Sequence, residues 1–176
     1  MTDLIVRAST EADMARCAEI YAHHVLHGTA SFEIDPPDLA EMKRRRAGVL
    51  DLGLPHLVAE RGGRVLGYAY AGNWRPRLAY RFSVEDSIYI DKDAVGQGVG
   101  KALLPVLIEH CTALGKRQMV AVIGDSAQTP SIRLHASCGF EMVGTLKNIG
   151  FKFGRWLDSV LMQRPLGEGA GTPPPA

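Results

Sequence analysis

Cysteine, net charge and long hydrophobic runs are all scarce in this sequence. The three cysteines, Cys17, Cys111 and Cys138, are widely spaced and form no CxxC pair, so we expect reduced thiols and no zinc site. The 20 basic and 19 acidic side chains leave a net charge of +1, without the basic excess of proteins that track nucleic-acid phosphates. The longest apolar run, residues 102–108, is too short to span a membrane, and no signal-peptide pattern is present. These absences predict a cytoplasmic protein without metal, nucleic-acid or membrane partners.

What the sequence does contain fits one α/β domain. With 176 residues, of which 46% are hydrophobic and 22% charged, a single core buries enough surface to fold without a metal or a disulfide. We expect this domain to occupy residues 1–166. Residues 167–176 are rich in glycine and proline and are expected to form a disordered tail.

Hydrophobic periodicity and turn residues predict a mixed order of strands and helices. Predicted strands cover residues 4–7, 56–60, 65–71, 83–90, 119–123, 140–146 and 156–163. Predicted helices cover about 9–27, 38 to 46 or beyond, about 99–115, and 129–138. Pro105 lies inside the third helix and is expected to bend it. Trp74 and Trp156 are expected in the core.

A glycine-rich loop, Gly-Gln-Gly-Val-Gly-Lys at residues 96–101, lies between a predicted strand and a predicted helix. Glycines let successive amides face one point, and the helix N-terminus adds partial positive charge, which together suit phosphate. The P-loop is excluded because Val95 and Ala102 replace two of its required residues, and Lys101 replaces the third glycine of the dinucleotide motif. A glycine turn that binds nothing remains the alternative.

This loop resembles the xxGxG/A loop of the GCN5-related N-acetyltransferase (GNAT) superfamily, whose amides wrap the pyrophosphate of coenzyme A. Residues 87–91 and 131–140 resemble the strand before that loop and the late helix of the same superfamily. The resemblance covers residues 4–165 and implies the GNAT fold, a central, mostly antiparallel α/β sheet flanked by helices. It also implies acetyl-CoA as cosubstrate, bound by Ile88, Tyr89, Ile90, Gly96, Gln97, Gly98, Val99, Gly100, Lys101, Gln128 and Ser131.

Residues 29–37, 68–76, 84–85 and 150–158 resemble one branch of the superfamily, the phosphinothricin and methionine sulfone or sulfoximine acetyltransferases. That branch acetylates the α-amine of glutamate- or methionine-like compounds, so the resemblance implies a small amino-acid-like acceptor and a homodimer, with residues 151–156 as apolar contact area. The implied acceptor-binding residues are Phe32, Arg75, Pro76, Arg77 and Glu85.

Three positions depart from this branch. Val95 stands where the branch usually has Gln or Arg, and Gln128 stands where an Asn commonly contacts the pantetheine arm. We expect Val95 to weaken cofactor binding modestly, and we expect Gln128 to make similar bonds from a longer stem. Arg77 replaces an aromatic residue near the substrate, so the identity of the acceptor stays open.

Glu85 and His135 are the candidate catalytic residues. A carboxylate inside an otherwise apolar strand must be paired or functional, because burying it alone is costly, and the resemblance assigns Glu85 as general base. His135 occupies the late-helix position where the superfamily often has a tyrosine acid, so it is a candidate proton donor. A histidine that only packs or positions the cofactor is the alternative.

Other arrangements give weaker indications. His135 and Cys138 lie three residues apart, but no second ligand pair has zinc spacing. The histidines at 23, 24 and 27 are expected to be partly exposed helix residues. Two alternative functions remain open, which are acetylation of a protein N-terminus or another amine, and a non-catalytic CoA-sensing module. An acceptor screen with acetyl-CoA separates them.

Overall fold

A seven-stranded sheet forms the centre of the fold in a computed structural model that describes residues 3–174. Its strands are β1 (Ile5–Ala8), β2 (His56–Arg61), β3 (Arg64–Asn73), β4 (Ser83–Ile90), β5 (Gln118–Gly124), β6 (Glu141–Lys152) and β7 (Arg155–Pro165). Within the described residues, the α-helices are α1 (Met14–His27), α2 (Leu39–Asp51), α3 (Val99–Ala113) and α4 (Thr129–Ser137). None of these helices has the length and hydropathy needed to cross a bilayer.

The sheet has the strand order β1-β2-β3-β4-β5-β7-β6. Every neighbouring pair is antiparallel except β4 and β5. This parallel pair is short, because residues 83–86 of β4 align with residues 118–121 of β5 and the pairing then stops. Beyond that point β4 remains paired only with β3, and β5 only with β7. The sheet is therefore mixed and mostly antiparallel, as predicted, and it splits open between its two central strands.

Side chains of successive strand residues pack on opposite faces of the sheet. On β3, Ala69 and Ala71 belong to the apolar cluster that includes the inner face of α3, whereas Tyr68 belongs to the cluster formed with α1. On β2, Val58 also packs with α1. This alternation is the period-two pattern of a strand buried on both faces. Helices thus cover both faces, and the central strands are packed between them.

Local sequence signals explain several element boundaries. Asp38 caps α2, because its carboxylate accepts the backbone N–H of Glu41 at 2.8 Å. Gly62 and Gly63 have φ angles of 60° and 78°, which the two-residue turn between β2 and β3 requires. Pro105 lies inside α3 without ending it, and the bend expected at that residue stays a prediction.

The β6–β7 hairpin is longer than the sequence predicts. β6 continues six residues beyond Leu146, to Lys152, and its pairing with β7 is irregular between residues 142 and 144 and between residues 146 and 150. Its turn places Phe153 and Gly154 at φ angles of 51° and 71°, the geometry of a tight primed turn. The prediction was wrong because a phenylalanine rarely takes this conformation, and the glycines nearby suggest a loop.

Trp156 does not lie in the core, which corrects the expectation from its size. Its side chain is 61% exposed, and its ring meets the ring of Phe151 edge to face at 5.2 Å. The two residues are cross-strand partners at one end of the hairpin. Trp74 is partly buried.

The segment after β7 makes contacts near the start of β5. Residues 167–170 form turns, and Arg117 donates hydrogen bonds to Glu168 and Thr172, each at 3.3 Å. These bonds are exposed, so they add little stability. The disorder expected from residue 167 stays a prediction, and its last two residues, 175 and 176, lie outside the described residues.

Candidate active site

A cavity of about 440 Å³ lies where β4 and β5 diverge. It is a size suited to a small ligand or to the reactive end of a larger one. Seven of the residues predicted to bind or react line it, namely Phe32, Glu85, Ile88, Tyr89, Gln128, Ser131 and His135. The split in the sheet therefore brings together residues that are up to 103 positions apart in the sequence.

The edge of β4 that faces the split carries unpaired backbone groups. The N–H of Asp91 donates to Leu66 beside β3 at 2.8 Å, and backbone groups alternate in direction along a strand. The N–H and C=O groups of Ile88 and Ile90 therefore point away from β3, toward the split. A peptide-like chain can add to such an edge as an extra strand, which is the mode predicted for the pantetheine arm.

One of these edge groups already has a partner. His24 forms a hydrogen bond with Ile90, with its Nε2 2.7 Å from the Ile90 carbonyl oxygen. Burial lowers the pKa of His24, so the ring is neutral at pH 7, and it donates Nε2–H to that carbonyl. The sequence analysis missed this contact, since nothing in the spacing of the three histidines singles out His24.

The glycine loop leaves several amides free at the N-terminus of α3. The first helical hydrogen bond runs from the N–H of Ala102 to the carbonyl of Gly98 at 3.0 Å, so the N–H groups of Val99 to Lys101 have no helical acceptor. Gly96 and Gly98 take φ angles of 80° and 82°, which explains their identity. Free amides at a helix N-terminus fit an anion such as pyrophosphate.

Gly100 has a different role from the other two glycines. A Cβ atom built at Gly100 lies 2.8 Å from Cδ2 of Leu134 on α4, so this glycine allows α3 and α4 to approach closely. At Gly96 and Gly98 a Cβ meets nothing within 4 Å. Substitution of Gly100 therefore perturbs helix packing, whereas Gly98 gives a cleaner test of ligand binding.

Glu85 is half-buried at the cavity and is paired through its backbone with Gly72 and Val120. Burial raises the pKa of this carboxyl, the adjacent charge of Asp86 raises it further, and Arg75 partly opposes them. Within residues 3–174 no side chain forms an ion pair with Glu85. Its oxygens are therefore free to accept a proton from a ligand.

His135 also borders the cavity, but both of its ring nitrogens have protein partners. Nδ1 lies 2.7 Å from the carbonyl oxygen of Ser131, and Nε2 lies 3.0 Å from Oδ2 of Asp86. Burial alone would lower the pKa of His135, but the hydrogen bond and charge of Asp86 outweigh it and raise that pKa. Asp86 was not predicted as a site residue, because its contact with His135 depends on how α4 packs on β4.

The loop before α2 forms one wall of the cavity and is held by Lys152. The ammonium of this buried side chain donates to the carbonyl oxygens of Gly28 and Ser31 at 3.0 and 2.7 Å. The ring of Phe32 fills the space left by Gly124 and Gly150, since a Cβ at either residue would lie within 2.8 Å of that ring. Lys152 was missed, because the sequence predicts a connection between two strands at this position and nothing there indicates a buried cation.

Gln128 borders the same wall, where its side-chain amide donates to the Thr29 hydroxyl at 3.0 Å. By contrast, Arg75, Pro76 and Arg77 are exposed beyond the end of β3 and do not line the cavity. The guanidinium of Arg75 lies over the ring of Trp74 at 4.6 Å. The acceptor-binding roles of these three residues stay predictions. No cluster of three or more metal-ligating side chains occurs in the described part of the chain.

Comparison with known proteins places these features in a family. Residues 6–161 match the model of the acetyltransferase (GNAT) domain. The chain is 59% identical to a phosphinothricin N-acetyltransferase of Alcaligenes faecalis over 96% of this chain and 86% of the relative. It is 41% identical to an L-methionine sulfoximine/L-methionine sulfone acetyltransferase of Salmonella typhimurium, over 95% and 97% of the two chains.

Solved structures give the same result. A phosphinothricin acetyltransferase from Sinorhizobium meliloti, in complex with acetyl-CoA, superposes with a TM-score of 0.95 at 51% identity, covering 99% of this chain and 94% of that one. A Salmonella typhimurium protein solved with its cofactor acetyl-CoA gives a TM-score of 0.93 at 40% identity, with 98% of each chain covered. The predicted GNAT fold, N-acetyltransferase activity and use of acetyl-CoA are thereby confirmed.

Proposed function

The chain belongs to the GNAT acetyltransferase family, and from that premise we propose that it acetylates the α-amine of a phosphinothricin-, methionine sulfoximine- or methionine sulfone-like acceptor, with Glu85 as general base. One observation carries the proposal. Glu85 is a half-buried carboxylate without an ion-pair partner among the described residues, and it borders the cavity next to the open edge of β4.

The residues fit acetyl-CoA at three places. The free amides at the start of α3 suit its pyrophosphate, the edge groups of Ile88 and Ile90 suit its peptide-like arm, and Gln128 and Ser131 line the cavity between them. When bound, acetyl-CoA supplies the acetyl group as a thioester. The N–H of Ile90 faces the split and is placed to stabilise negative charge on a carbonyl oxygen.

Glu85 removes a proton from the acceptor. An α-amine has an ordinary pKa of about 8, so at pH 7 most of it is an ammonium and cannot attack. A carboxylate whose pKa is raised by burial is a stronger base than an exposed one. Glu85 therefore accepts the proton directly or through one water, which is the role of a general base.

The acceptor's polar end and stem have separate partners in this proposal. Phe32 packs on the stem, because its ring forms part of the cavity wall. Arg75 and Arg77, at the exposed end of β3, bind the acidic or sulfone oxygens, for which guanidinium groups are well suited. The positive charge of Arg75 already reaches Glu85, so this loop lies near the mouth of the cavity.

We also propose that the protein forms a homodimer through the β6–β7 hairpin. Seven large apolar side chains of this hairpin are exposed, namely Met142, Val143, Leu146, Ile149, Phe151, Phe153 and Trp156. A hairpin that exposes this many large apolar side chains often marks a contact site, and a second copy covers it symmetrically. Light scattering of the purified protein should give twice the chain mass of 19.1 kDa. A monomer would reject the dimer without affecting the activity.

An acceptor screen with acetyl-CoA tests the function, with free thiol release as the signal. Phosphinothricin, methionine sulfoximine and methionine sulfone should turn over well above lysine, spermidine and a peptide with a free N-terminal amine. If the peptide or spermidine is the best acceptor, the proposed substrate class is wrong. If no amine is acetylated, the proposed activity is wrong.

The base is tested by Glu85→Gln. We expect turnover at pH 7 to fall about a hundredfold or more, with acetyl-CoA affinity little changed. Activity should partly recover at high pH, because the acceptor amine then loses its proton to water. Glu141→Gln, at an exposed strand position, is the matched control and should behave as wild type. Full activity of folded Glu85→Gln at pH 7 would reject the general base.

A further inference from the structure

His135 has no ring nitrogen available to a ligand in the cavity. Nδ1 is taken by the carbonyl of Ser131, Nε2 is taken by Asp86, and the side chain is only 2% exposed. The edge of the ring also meets Phe140, with centroids 5.0 Å apart. Both ring nitrogens are directed at protein atoms, so a proton that leaves the ring for the cavity has to pass through another group.

The partners of His135 fix where its protons lie. A carbonyl oxygen only accepts, so Nδ1 carries a proton toward Ser131. Nε2 then faces a carboxylate oxygen, and a proton between them turns a repulsive contact into a charge-assisted hydrogen bond. The other oxygen of Asp86, Oδ1, is buried and has no hydrogen-bond partner in residues 3–174, so a positive ring on His135 would offset its charge. Both contacts are satisfied when the ring carries two protons, so the geometry favours an imidazolium beside the carboxylate.

Ser131 is the member of this group that reaches the cavity. Its hydroxyl lies 3.4 Å from Nδ1 of His135, and the residue is partly exposed and lines the cavity. The two residues are one turn apart on α4, so the helix itself holds the hydroxyl beside the ring. A proton can pass from Nδ1 to Oγ while Oγ–H is given to a ligand.

We propose that Asp86, His135 and Ser131 form a proton relay in which the hydroxyl of Ser131 protonates the leaving-group sulfur. This inference rests on the proposed acetyl transfer. As the Ser131 O–H bond breaks, an S–H bond forms, and Oγ takes the proton of His135 Nδ1. The ring is left neutral, with its remaining proton on Nε2 held by Asp86. The acceptor ammonium loses two protons when it becomes the acetylated amide. One of them restores the proton that His135 gave up, and the other goes to water.

The direction of the relay follows from the same geometry. A serine nucleophile needs a base with a free lone pair, but Nδ1 of His135 carries a proton, which is directed at the Ser131 carbonyl with the Ser131 hydroxyl 3.4 Å away. Ser131 therefore receives a proton from the ring and is not activated to attack. We expect no acetylated serine intermediate.

Few other titratable groups face the Asp86–His135 pair. Glu85 is adjacent on β4, and Cys111 faces it from α3, where burial raises its pKa to about 12 and keeps the thiol neutral. Glu85 lies on the opposite face of its strand from Asp86. The charge of the ring is thus set mainly by Asp86, which acts as a positioning residue.

The charge state is tested without cofactor, by NMR titration of the His135 ring in the free protein. Wild type should titrate above the ordinary value of about 6.5, Asp86→Asn should titrate lower, and Ser131→Ala should resemble wild type. A spectrum of His135→Gln assigns the signal. A ring that is neutral at pH 6.5 in wild type would overturn the relay, whatever the activity of the enzyme.

Kinetics test the proton donor. Ser131→Ala should lower kcat about tenfold or more, a larger effect than its effect on acetyl-CoA affinity measured by calorimetry, and Ser131→Thr should recover most of the lost kcat. Ser137→Ala is the matched control, because its hydroxyl, on the same helix, bonds the Leu134 carbonyl and lies outside the cavity. In Asp86→Asn the alkaline fall in kcat should move to lower pH, since a less basic ring loses its proton earlier.

The outcomes separate the relay from the proposed function. Normal kcat in Ser131→Ala, or a burst of thiol without acceptor, overturns the relay and leaves the acetyltransferase assignment intact. Wild-type protein that acetylates no amine overturns the proposed function, while the titration still decides the charge of His135.

Discussion

His56 provides a quantitative test of how burial controls the acid limit of this fold. Its ring lies on β2, stacked near Tyr68 and Tyr70 at centroid distances of 5.7 and 5.4 Å, and it is 5% exposed. Among the described residues, its Nδ1 has no hydrogen-bond partner. Burial lowers the pKa of His56 to about 4, and the positive charge of Arg46 adds to this effect, against a smaller opposing effect of Asp13.

The sign and size of the effect follow from proton linkage. Above about pH 6.5 the histidine is neutral in both states, so its contribution to stability is fully present. Below that pH the unfolded chain binds a proton that the folded protein rejects, so stability falls until the folded pKa of about 4 is reached. A difference of about 2.5 pKa units corresponds to about 3 kcal/mol, of which about 2 kcal/mol is lost by pH 5.

Urea unfolding of wild type and His56→Phe at pH 7.5 and pH 5 measures this term. The variant keeps an aromatic ring in the stack and cannot titrate, so its loss of stability between the two pH values should be smaller by about 2 kcal/mol. His110→Phe, at an exposed site of α3, should leave the loss unchanged. Equal losses in wild type and His56→Phe would refute the argument. The result also shows where an acid-side fall in activity reports Glu85 and where it reports unfolding.

Two further predictions concern the glycine loop and the loop that forms one wall of the cavity. Gly98→Ala should cost about 1 kcal/mol of stability because of its left-handed φ, and it should also weaken acetyl-CoA binding measured by calorimetry. The control is Gly63→Ala, at a similar φ of 78° and with equal space for a Cβ, which should show only the stability loss. Equal acetyl-CoA affinities of the two variants would contradict binding at the loop. Lys152→Met leaves two buried carbonyls unpaired, so the KM for the acceptor should rise about tenfold while acetyl-CoA affinity holds. Lys116→Met removes an exposed bond to a carbonyl and should change neither; a loop that binds acceptor normally without Lys152 would contradict this role.

The parts of the site that sequence could predict are those set by local backbone requirements. Gly96 and Gly98 adopt positive φ angles, and Asp38 caps the start of α2. Each of these roles can be predicted from the residues next to it in the sequence. The extended part of β6 could not be predicted, because its pairing with β7 overrides the turn preference of Asn148 and the glycines around it. Tertiary pairing supplied that information, and no local pattern carried it.

Residues whose role depends on distant packing were missed for the same reason. Lys152 holds carbonyls 121 and 124 positions away, and His24 reaches Ile90 across 66 positions. Asp86 meets His135 across 49 positions. In each case the residue type is compatible with several ordinary structural roles, and its actual role depends on which other element packs against it. Glu85 was found because a carboxylate in an apolar strand requires an explanation wherever that strand packs.

The separation of the proposed base from the proposed acid relay follows from the two-residue period of β4. Glu85 is paired with Gly72 of β3 and lies on the face of the sheet that carries Tyr70 and the residues packed on α1. Asp86 is buried on the other face, toward α3 and α4. Neighbouring strand residues point to opposite faces, so the base and the proposed acid relay are separated by the thickness of the sheet. At the split between β4 and β5, both faces open to a common cavity, which Glu85 and Asp86 line together. A reaction that takes a proton from the acceptor amine and gives a proton to the leaving-group sulfur therefore requires this opening. A residue inserted between Glu85 and Asp86 would place both side chains on the same face of the sheet and should abolish turnover.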